Sequence, residues 1–229
     1  MATVEESISM RVDEAILGRY SVRGFLDKPV PREILEKVFT LAQRAPSNCN
    51  IQPWEVCVAS GETRDRIRER LIENVKNGVT PNSDYTYPPK FENDHRRRQI
   101  ECAVALYSKM DIGREDKEGR MRASMRNFEL FDAPHVAFVG MHKSFGTTVA
   151  VDVGMYAQTL MLAMAAYGIG SCAQGSMRNY PDIVREEFGI SDDIRILFGI
   201  SFGYEDPGVP ANATRTTRED ISRNVIFKD

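Results

Sequence analysis

The polar side chains best suited to hold a ligand lie in two short segments near the start of the sequence. Residues 19–23 (RYSVR) place two guanidinium groups and the hydroxyls of a tyrosine and a serine directly after a helix-like run. Residues 45–54 (APSNCNIQPW) form a proline-bounded turn with one hydroxyl and three carboxamides, closed by the only tryptophan. Both segments are dense in hydrogen-bonding groups, which makes them the first candidates for a binding site.

The residue types indicate what these segments could bind. Arginine is always charged and offers a planar fork of donors, which suits a phosphate or an electron-rich ring carbonyl. Carboxamides donate and accept hydrogen bonds at once, as a heterocycle edge with alternating N–H and C=O groups requires. Neither segment contains a nucleophile–base pair or a set of metal ligands. The two segments therefore favour a site that holds a flavin over one that attacks a substrate itself.

Each segment also has an ordinary structural interpretation. Arginines at a helix end are typical of a solvated C-terminus, where the helix dipole favours cations. A turn rich in proline, serine and asparagine is often only a turn, because these residues preset or tolerate turn geometry. That interpretation accounts for Ser47 and Asn48, but it accounts poorly for Asn50 followed by Gln52-Pro53-Trp54.

The two segments resemble the signature segments of the nitroreductase superfamily of FMN-dependent NAD(P)H oxidoreductases, and the similarity runs from about Val12 to the end of the chain. The resemblance implies that the first segment holds the phosphate, ribityl and pyrimidine atoms of FMN. It also implies that the turn comes from the other subunit of a homodimer and covers the same flavin, so that FMN lies at the subunit interface. The matching positions are Arg19, Tyr20, Ser21, Arg23, Pro46, Ser47, Asn48 and Asn50.

Two later segments extend the resemblance. Residues 168–176 carry three glycines, which let a backbone approach a planar ligand or simply supply freedom in a loop–strand–turn. In the family this segment turns a backbone N–H toward flavin N5, which points to Gln174, Gly175 and Ser176, although some relatives have glutamate at position 174. Residues 212–218 resemble a basic segment that grips the FMN phosphate through Arg215 or Arg218, and the choice between these two stays open.

Periodicity and turn signals predict the elements that must position these residues. We predict helices over residues 10–18, 31–44, 62–75, 153–167 and 182–188, and strands over 54–59, 136–140 and 194–202. This alternation favours a single α+β domain spanning residues 1–229, and the resemblance implies a sandwich with a central, mostly antiparallel sheet flanked by helices.

The helix predicted over 153–167 is apolar nearly all round, so we expect it to be buried on every side. It is either the core helix of one chain or part of a subunit interface. The resemblance favours an intertwined homodimer with this helix at the interface and residues 222–227 as an arm that adds a strand to the partner's sheet.

Residues 78–128 form an insertion that opens with aromatic and turn-forming residues and continues into a highly charged stretch. Such charge is typical of a solvated helical face, yet long insertions in compact domains are often lids. The resemblance implies that this insertion shapes substrate access, as in a subgroup that reduces nitroaromatics. Met121 and Met125 could line an adaptable pocket or pack in the core. The aromatic candidates for substrate contact are Tyr85, Tyr87, Phe91, Phe128 and Phe131.

Composition excludes several classes of protein. The chain has 229 residues, a net charge of −3 and a pI of about 5.8, which gives no reason to expect nucleic acid as a partner. We expect no membrane span, because no apolar run reaches about 18 residues, and the N-terminus lacks the pattern of a signal peptide. The four cysteines form no Cys-x-x-Cys pair and the three histidines show no metal spacing, so we expect reduced thiols, no metal site and a cytoplasmic protein. His135 and His142 flank a predicted strand and are interpreted as ordinary strand-end residues.

The implied activity is reduction of nitroaromatic compounds by NADH or NADPH, in ping-pong fashion through flavin N5. FMN would supply the chemistry while the protein supplies orientation and electrostatics, with Arg23 or a backbone N–H near N1/O2 stabilising the reduced flavin. No Gly-x-Gly-x-x-Gly follows a strand, so the nicotinamide is expected to bind transiently. The alternatives are quinone or ene reduction, reductive dehalogenation, and a non-catalytic FMN-binding protein. The physiological substrate, the preference between NADH and NADPH, and the extent of nitro reduction stay open.

Overall fold

The computed structural model describes residues 10–86 and 90–229, and within them the chain forms a mixed α+β fold. The helices are α1 (Val12–Gly18), α2 (Arg32–Ala42), α3 (Gly61–Lys76), α4 (Asn93–Lys109), α5 (Lys117–Met125), α6 (Thr147–Ala166) and α7 (Pro181–Phe188). The strands are β1 (Glu55–Ser60), β2 (His135–His142), β3 (Gly170–Gln174) and β4 (Ile194–Gly203). Short 3₁₀ turns cover Asn48–Asn50, Leu130–Asp132, Gly175–Arg178, Pro210–Ala213 and Ile221–Arg223.

The four strands form one sheet in the order β1-β2-β4-β3, and every neighbouring pair is antiparallel. Strand β2 lies in the interior of the sheet and is buried along nearly its whole length. A bulge between Val139 and Gly140 shifts its register against β4. The expected antiparallel sheet flanked by helices is confirmed.

The two faces of β2 explain its unbroken apolar run. Ala137, Val139 and Met141 belong to a core that contains residues of α2 and α6. Val136 and Phe138 point the other way, into a second core built with α3 and α7. Successive side chains of a strand alternate between faces, so a sheet covered on both sides needs apolar residues at every position.

Strand β3 is the element that the apolar pattern did not single out. Its five residues, Gly-Ser-Cys-Ala-Gln, are small or polar and contain no branched aliphatic side chain. Pairing with β4 over Gly170–Gln174 supplies its backbone hydrogen bonds. The insertion contains α4 and α5, joined to β2 through the 3₁₀ turn at Leu130–Asp132.

Helix α6 is longer than expected, and the expectation that it is buried on every side is wrong for a single chain. Val153, Tyr156, Leu160 and Met164 face the core, but a stripe at residues 151, 154 and 158 is exposed. Val151 is 60% exposed. By length and composition alone, α6 is long and apolar enough to cross a membrane, with 20 residues and a mean hydropathy of 1.4 over its most apolar 18 residues. Core helices of globular proteins meet the same criterion of length and composition.

His135 has a structural role at the start of β2. Its Nε2 accepts a hydrogen bond from the Val30 N–H at 2.8 Å, so the proton sits on Nδ1 and is donated to Ser60 Oγ at 2.5 Å. The ring stacks on Phe202 with centroids 5.3 Å apart. Burial lowers the pKa of His135 to about 4, with the Arg64 charge adding to the effect. This histidine is therefore a neutral bridge between three segments.

Among the described residues, no group of three or more His, Cys, Asp or Glu side chains could hold a metal ion. All four cysteines are free thiols. The C-terminal segment ends in a 3₁₀ turn followed by an exposed tail, in which Ile226 and Phe227 are 82% and 81% exposed. Its expected pairing with a partner subunit stays a prediction.

Candidate functional site

The first segment leaves α1 and runs beside β3 as a short extension of the sheet. Ser21 forms a parallel bridge with Ser171, and the Val22 N–H donates to the Ser171 carbonyl at 3.1 Å. Val22 is buried, while its neighbours Ser21 and Arg23 are partly exposed. This alternation is that of a strand at a surface, and it directs the polar side chains away from the core.

Asn212 joins the first segment to the C-terminal basic segment, 189 residues away in sequence. Its Oδ1 accepts from the Arg23 N–H at 2.6 Å, and its Nδ2 donates to the Gly24 carbonyl at 2.8 Å and to the Asp206 carbonyl at 2.9 Å. Gly24 allows the segment around Val209 to pack closely, because a Cβ at position 24 would lie 2.5 Å from the Val209 side chain. The buried carboxamide thus fixes the two segments against each other.

Arg215 lies over the Tyr20 ring, with its guanidinium carbon 3.5 Å from the ring centroid. It also donates to the carbonyls of Asn212 at 2.7 Å and Thr214 at 2.9 Å. The Tyr20 hydroxyl donates to Glu205. Burial and the Glu205 carboxylate raise the pKa of Tyr20. Arg215 is held by an aromatic face and neutral carbonyls, which leave its charge uncompensated.

Four arginines line one cavity of about 410 Å³, which we call the arginine cavity. They are Arg19, Arg23, Arg215 and Arg218, and the remaining wall includes Tyr20, Ser21, Cys102 and Thr214 but no Asp or Glu. Among the described residues, none of the four arginines forms an ion pair. Converging positive charges without carboxylate partners indicate an anion-binding site.

Thr214 strengthens this assignment. It is 5% exposed, and its hydroxyl is buried without a hydrogen-bond partner among the described residues. Buried polar groups in native proteins are nearly always paired. An orphaned hydroxyl in the wall of a cationic cavity fits a site built for a ligand that brings its own oxygen atoms, such as a phosphate.

Arg23 also borders a second cavity of about 490 Å³, which we call the apolar cavity. Its walls include Leu106 of α4 and Met110 directly after that helix, Phe131, and residues 209–211 of the C-terminal segment. Arg126 lines it too, but its guanidinium is paired with Glu129 at 2.6 Å and Asp132 at 2.5 Å. The insertion therefore meets the arginine cavity across Arg23, and its contribution is a largely apolar wall.

The backbone beside the apolar cavity is strained. Leu130, Phe131 and Asp132 have φ values of 56°, 55° and 63°. Consecutive left-handed residues with bulky side chains are rare, and they persist where surrounding contacts hold them. Here the Phe25 N–H donates to the Phe131 carbonyl at 3.2 Å, and the ion pairs of Arg126 bridge the turn.

The predicted N5-facing segment begins where β3 ends. The Gln174 side chain is 3% exposed and fully engaged: Oε1 accepts from Ser201 Oγ at 2.5 Å, and Nε2 donates to the Asn127 carbonyl at 2.9 Å. Gly175 is exposed at the start of a 3₁₀ turn, and the Ser176 hydroxyl is buried without a partner among the described residues. The carboxamide of Gln174 thus braces this segment against the end of the insertion.

The second signature segment is not brought to the arginine cavity in a single chain. Pro46, Ser47, Asn48 and Asn50 line neither cavity described above. Ser47 Oγ accepts from the Gln52 N–H at 2.9 Å, which closes the turn on itself. The polar residues stay largely exposed. Within one chain, the two signature segments therefore form two separate surfaces.

The aromatic candidates of the insertion are scattered. Phe131 lines the apolar cavity, and Phe91 lines a groove on α4 together with Tyr107. Tyr85 packs against the core that contains α2 and α6. Phe128 is a core residue, 8% exposed and packed against Tyr180, so its ring has little surface left for a substrate. Tyr87 lies outside the described residues.

Sequence reasoning missed three residues that organise the site. They are Asn212, at the start of the basic segment, Thr214 within that segment, and Asp152, just before an apolar run. The last accepts a hydrogen bond from the Asn48 N–H at 3.0 Å. A lone aspartate on an otherwise apolar helix was the one available signal, because such a residue is rarely buried without a purpose.

Comparison with known proteins places this chain in a family. The model of the Nitroreductase family matches residues 16–204. The nitroreductase NfnB of Mycolicibacterium smegmatis is 37% identical over 221 residues, covering 96% of this chain and 94% of the relative. A 4-nitrobenzoate reductase of a Nocardioides strain is 32% identical over 219 residues, covering 94% of this chain and 89% of the relative.

The fold agrees with these matches. The crystal structure of the FMN-dependent nitroreductase NfnB from Mycobacterium smegmatis in complex with NADPH superposes with a TM-score of 0.91, at 37% identity, covering 95% of this chain and 97% of that chain. The similarity thus spans both signature segments, the insertion and the C-terminal basic segment. With its arginine cavity, its antiparallel sheet and these relatives, the chain belongs to the Nitroreductase family.

Proposed function

We propose that the protein is an FMN-dependent oxidoreductase that uses NADPH or NADH to reduce nitroaromatic compounds. The observation that carries the proposal is the arginine cavity, which is lined by four arginines without ion-pair partners and by a threonine whose hydroxyl has no partner among the described residues. A dianionic phosphate on a flexible, hydroxylated chain is the ligand that this set of donors fits. The relatives add the activity: they are a nitroreductase and a 4-nitrobenzoate reductase.

Arg19 and Arg218 lie at the arginine cavity but not at the apolar one, so we assign them to the FMN phosphate. Arg215 shares that role while held over Tyr20. Arg23 borders both cavities, which suits a contact between the phosphate-binding end and the ring. Its cation would stabilise negative charge on the pyrimidine side of the ring.

Bound FMN would accept hydride at N5 from the nicotinamide and pass it to the nitro compound in a second half-reaction. The protein's part is binding, orientation and exclusion of water. Gln174 braces the segment that we assign to the N5 side, through its hydrogen bonds to Ser201 and Asn127. No side chain is required as an obligatory acid or base, and the neutral, fully engaged His135 is not a candidate for either role.

We further propose that residues 78–128 act as a lid. The support is the apolar cavity, which is closed on one side by α4 and by Phe131, three residues after the insertion. Apolar walls and an aromatic ring suit a planar aromatic substrate. Phe131 and Phe91 are the aromatic side chains best placed for contact, and Tyr85 and Tyr87 stay candidates.

We propose a homodimer with two FMN sites at the interface, located in the cytoplasm. The separation of the two signature segments in one chain supports this, because the exposed carboxamides of the turn would cover the partner's flavin. The exposed stripe of α6 and the exposed apolar side chains of α1 supply the surface that a second copy would bury. Those of α1 include Val12, Ile16 and Leu17, which are 73%, 53% and 85% exposed.

An anaerobic visible spectrum of the purified protein tests the function. We expect an oxidised flavin band that bleaches with NADPH or NADH and returns when a nitroaromatic such as nitrobenzene is added. A flavin band that neither nicotinamide bleaches would instead favour the non-catalytic binding protein. Bleaching that only a quinone or an enone reverses would favour quinone or ene reduction. Absence of flavin after reconstitution with FMN would overturn the proposal.

A further inference from the structure

The turn that carries Ser47, Asn48 and Asn50 has an unusual backbone. Cys49, Asn50 and Gln52 have φ values of 48°, 56° and 47°, all in the left-handed region. Asparagine tolerates this region, but for cysteine and glutamine it is unfavourable. Three such residues within four positions hold their shape only if the surrounding structure fixes them.

One turn of α6 supplies the fixing contacts. Asp152 Oδ2 accepts a hydrogen bond from the Asn48 N–H at 3.0 Å. Four residues later, the Tyr156 ring stacks on Trp54 with centroids 4.8 Å apart and an interplanar angle of 23°. Residues four apart share a helix face, so the helix grips the turn at its start and at its end. The Trp54 Nε1–H also donates to Gln43 Oε1 at 2.9 Å.

Asp152 is the unusual member of this pair. It is 5% exposed, and among the described residues no Lys, Arg or His forms an ion pair with it. A buried carboxylate without a counter-ion is unfavourable. Asp152 lines neither the arginine cavity nor the apolar cavity. Its contact is a charge-assisted hydrogen bond to the first N–H of the 3₁₀ turn, the kind of bond that is stronger than one between neutral groups.

We propose that Asp152 is a positioning residue for the flavin site. It holds the Pro46–Trp54 turn in the left-handed shape that presents Ser47, Asn48 and Asn50 to the FMN of the partner subunit. It acts through the Asn48 backbone, and its own carboxylate makes no contact with the flavin. This inference rests on the proposed function, because the turn needs a defined shape only if it meets a ligand.

The test compares Asp152→Ala, which removes the acceptor, with Asp152→Asn, which keeps one carbonyl oxygen. We expect the Kd for FMN to rise about tenfold in the alanine variant and to stay within about threefold of the unchanged protein in the asparagine variant. Glu36→Ala is the control: it removes an exposed carboxylate of α2 that pairs with Arg32 and lines neither cavity, so it should leave the Kd unchanged. Circular dichroism and sedimentation establish that each variant is folded and has the same oligomeric state.

A second measurement does not depend on FMN. Amide hydrogen exchange in the flavin-free protein reports on residues 46–54 directly, and we expect it to be about tenfold faster in Asp152→Ala than in Asp152→Asn. An alanine variant with a lower Tm but unchanged Kd and unchanged exchange would overturn the inference, because Asp152 would then only pack in the core. An asparagine variant as impaired as the alanine variant would overturn it too.

The two measurements separate this inference from the proposed function. If the unchanged protein binds no FMN, the proposed function fails, yet faster exchange in Asp152→Ala alone still supports the clamp on the turn. If FMN binds, but neither its Kd nor the hydrogen exchange of residues 46–54 changes in Asp152→Ala, the positioning role of Asp152 is wrong and the proposed function stands.

Discussion

Removing Arg19 and Arg23 together should abolish the retention of FMN during gel filtration while leaving the chain folded. Both guanidinium groups line the arginine cavity and neither forms an ion pair with a described carboxylate. Their loss therefore leaves no buried carboxylate without a counter-ion. Many arginine substitutions are destabilising because they leave such an unpaired charge behind. The backbone contact of Arg23 to Asn212 does not need the side chain, so the join between the two segments persists.

The size of the effect follows from the contacts that the cavity offers. A hydrogen bond to a charged group contributes about 1.5–3 kcal/mol, and each 1.4 kcal/mol is a factor of ten in affinity. One arginine lost from four should weaken FMN binding about 10- to 100-fold, and the double change about 10²- to 10⁴-fold if the two contributions add. Riboflavin lacks the phosphate, so its affinity should respond to Arg23→Ala more than to Arg19→Ala.

Flavin fluorescence titration with FMN and with riboflavin measures both effects. The matched control is Arg32→Ala, an exposed arginine on α2 that pairs with Glu36 and lies outside both cavities. We expect the double variant to lose FMN during gel filtration while keeping its far-ultraviolet dichroism. Stoichiometric FMN retained by a folded double variant would refute the assignment of the arginine cavity.

Three further predictions concern the frame around the site. The pKa of His135 in the folded protein is about 4, below its unfolded value near 6.5. The stabilisation that neutral His135 provides is therefore complete above pH 6.5 and is lost as the pH falls toward 4. Urea unfolding should show that the free energy of unfolding falls by about 3 kcal/mol over that range, and this loss should vanish in a variant without His135. In the same assay, Asp84→Ala should lower the free energy of unfolding by about 3–5 kcal/mol, because it removes both 2.6 Å contacts of the Arg185 guanidinium, whose side chain is 9% exposed. Asp182→Ala is the control: it removes a half-exposed partner of the same arginine and should lower the free energy of unfolding by less than about 1 kcal/mol. Gln174→Ala should lower the free energy of unfolding by about 2–4 kcal/mol, because Ser201 and the Asn127 carbonyl lose their buried partners, and a loss below about 1 kcal/mol would contradict the bracing role.

The elements that could be predicted are those whose signal lies in consecutive residues. The apolar run of β2 and the periodicity of α2 are local properties, and both elements were found at the expected places. Strand β3 was not predicted from the apolar pattern, because its small and polar residues suit close approach to neighbouring segments and bury no large side chains. The start of α6 was predicted six residues too late, because the helix begins with two threonines, which are β-branched residues of modest helix propensity, and only the fold shows that it begins there.

The same division holds for the site. The two signature segments and the C-terminal arginines were recognisable because each places several donors within a few residues. That four of these arginines surround one cavity, without a carboxylate among them, depends on the chain bringing segments together that lie far apart in sequence. Phe128 shows the converse, since an aromatic residue beside a candidate site packs in the core once the insertion folds back.

The sequence by itself determined the family and most of the helices and strands, and it supplied the residue types of the proposed cofactor site, because each of these depends on local spacing and composition. The tertiary structure alone decided which charges stay unpaired, which hydroxyl is left without a partner, and which aspartate grips the turn. Those properties are relations between distant residues. A guanidinium is available to a ligand only if it forms no ion pair with a carboxylate, and a local sequence pattern does not show which distant residues the fold places beside it.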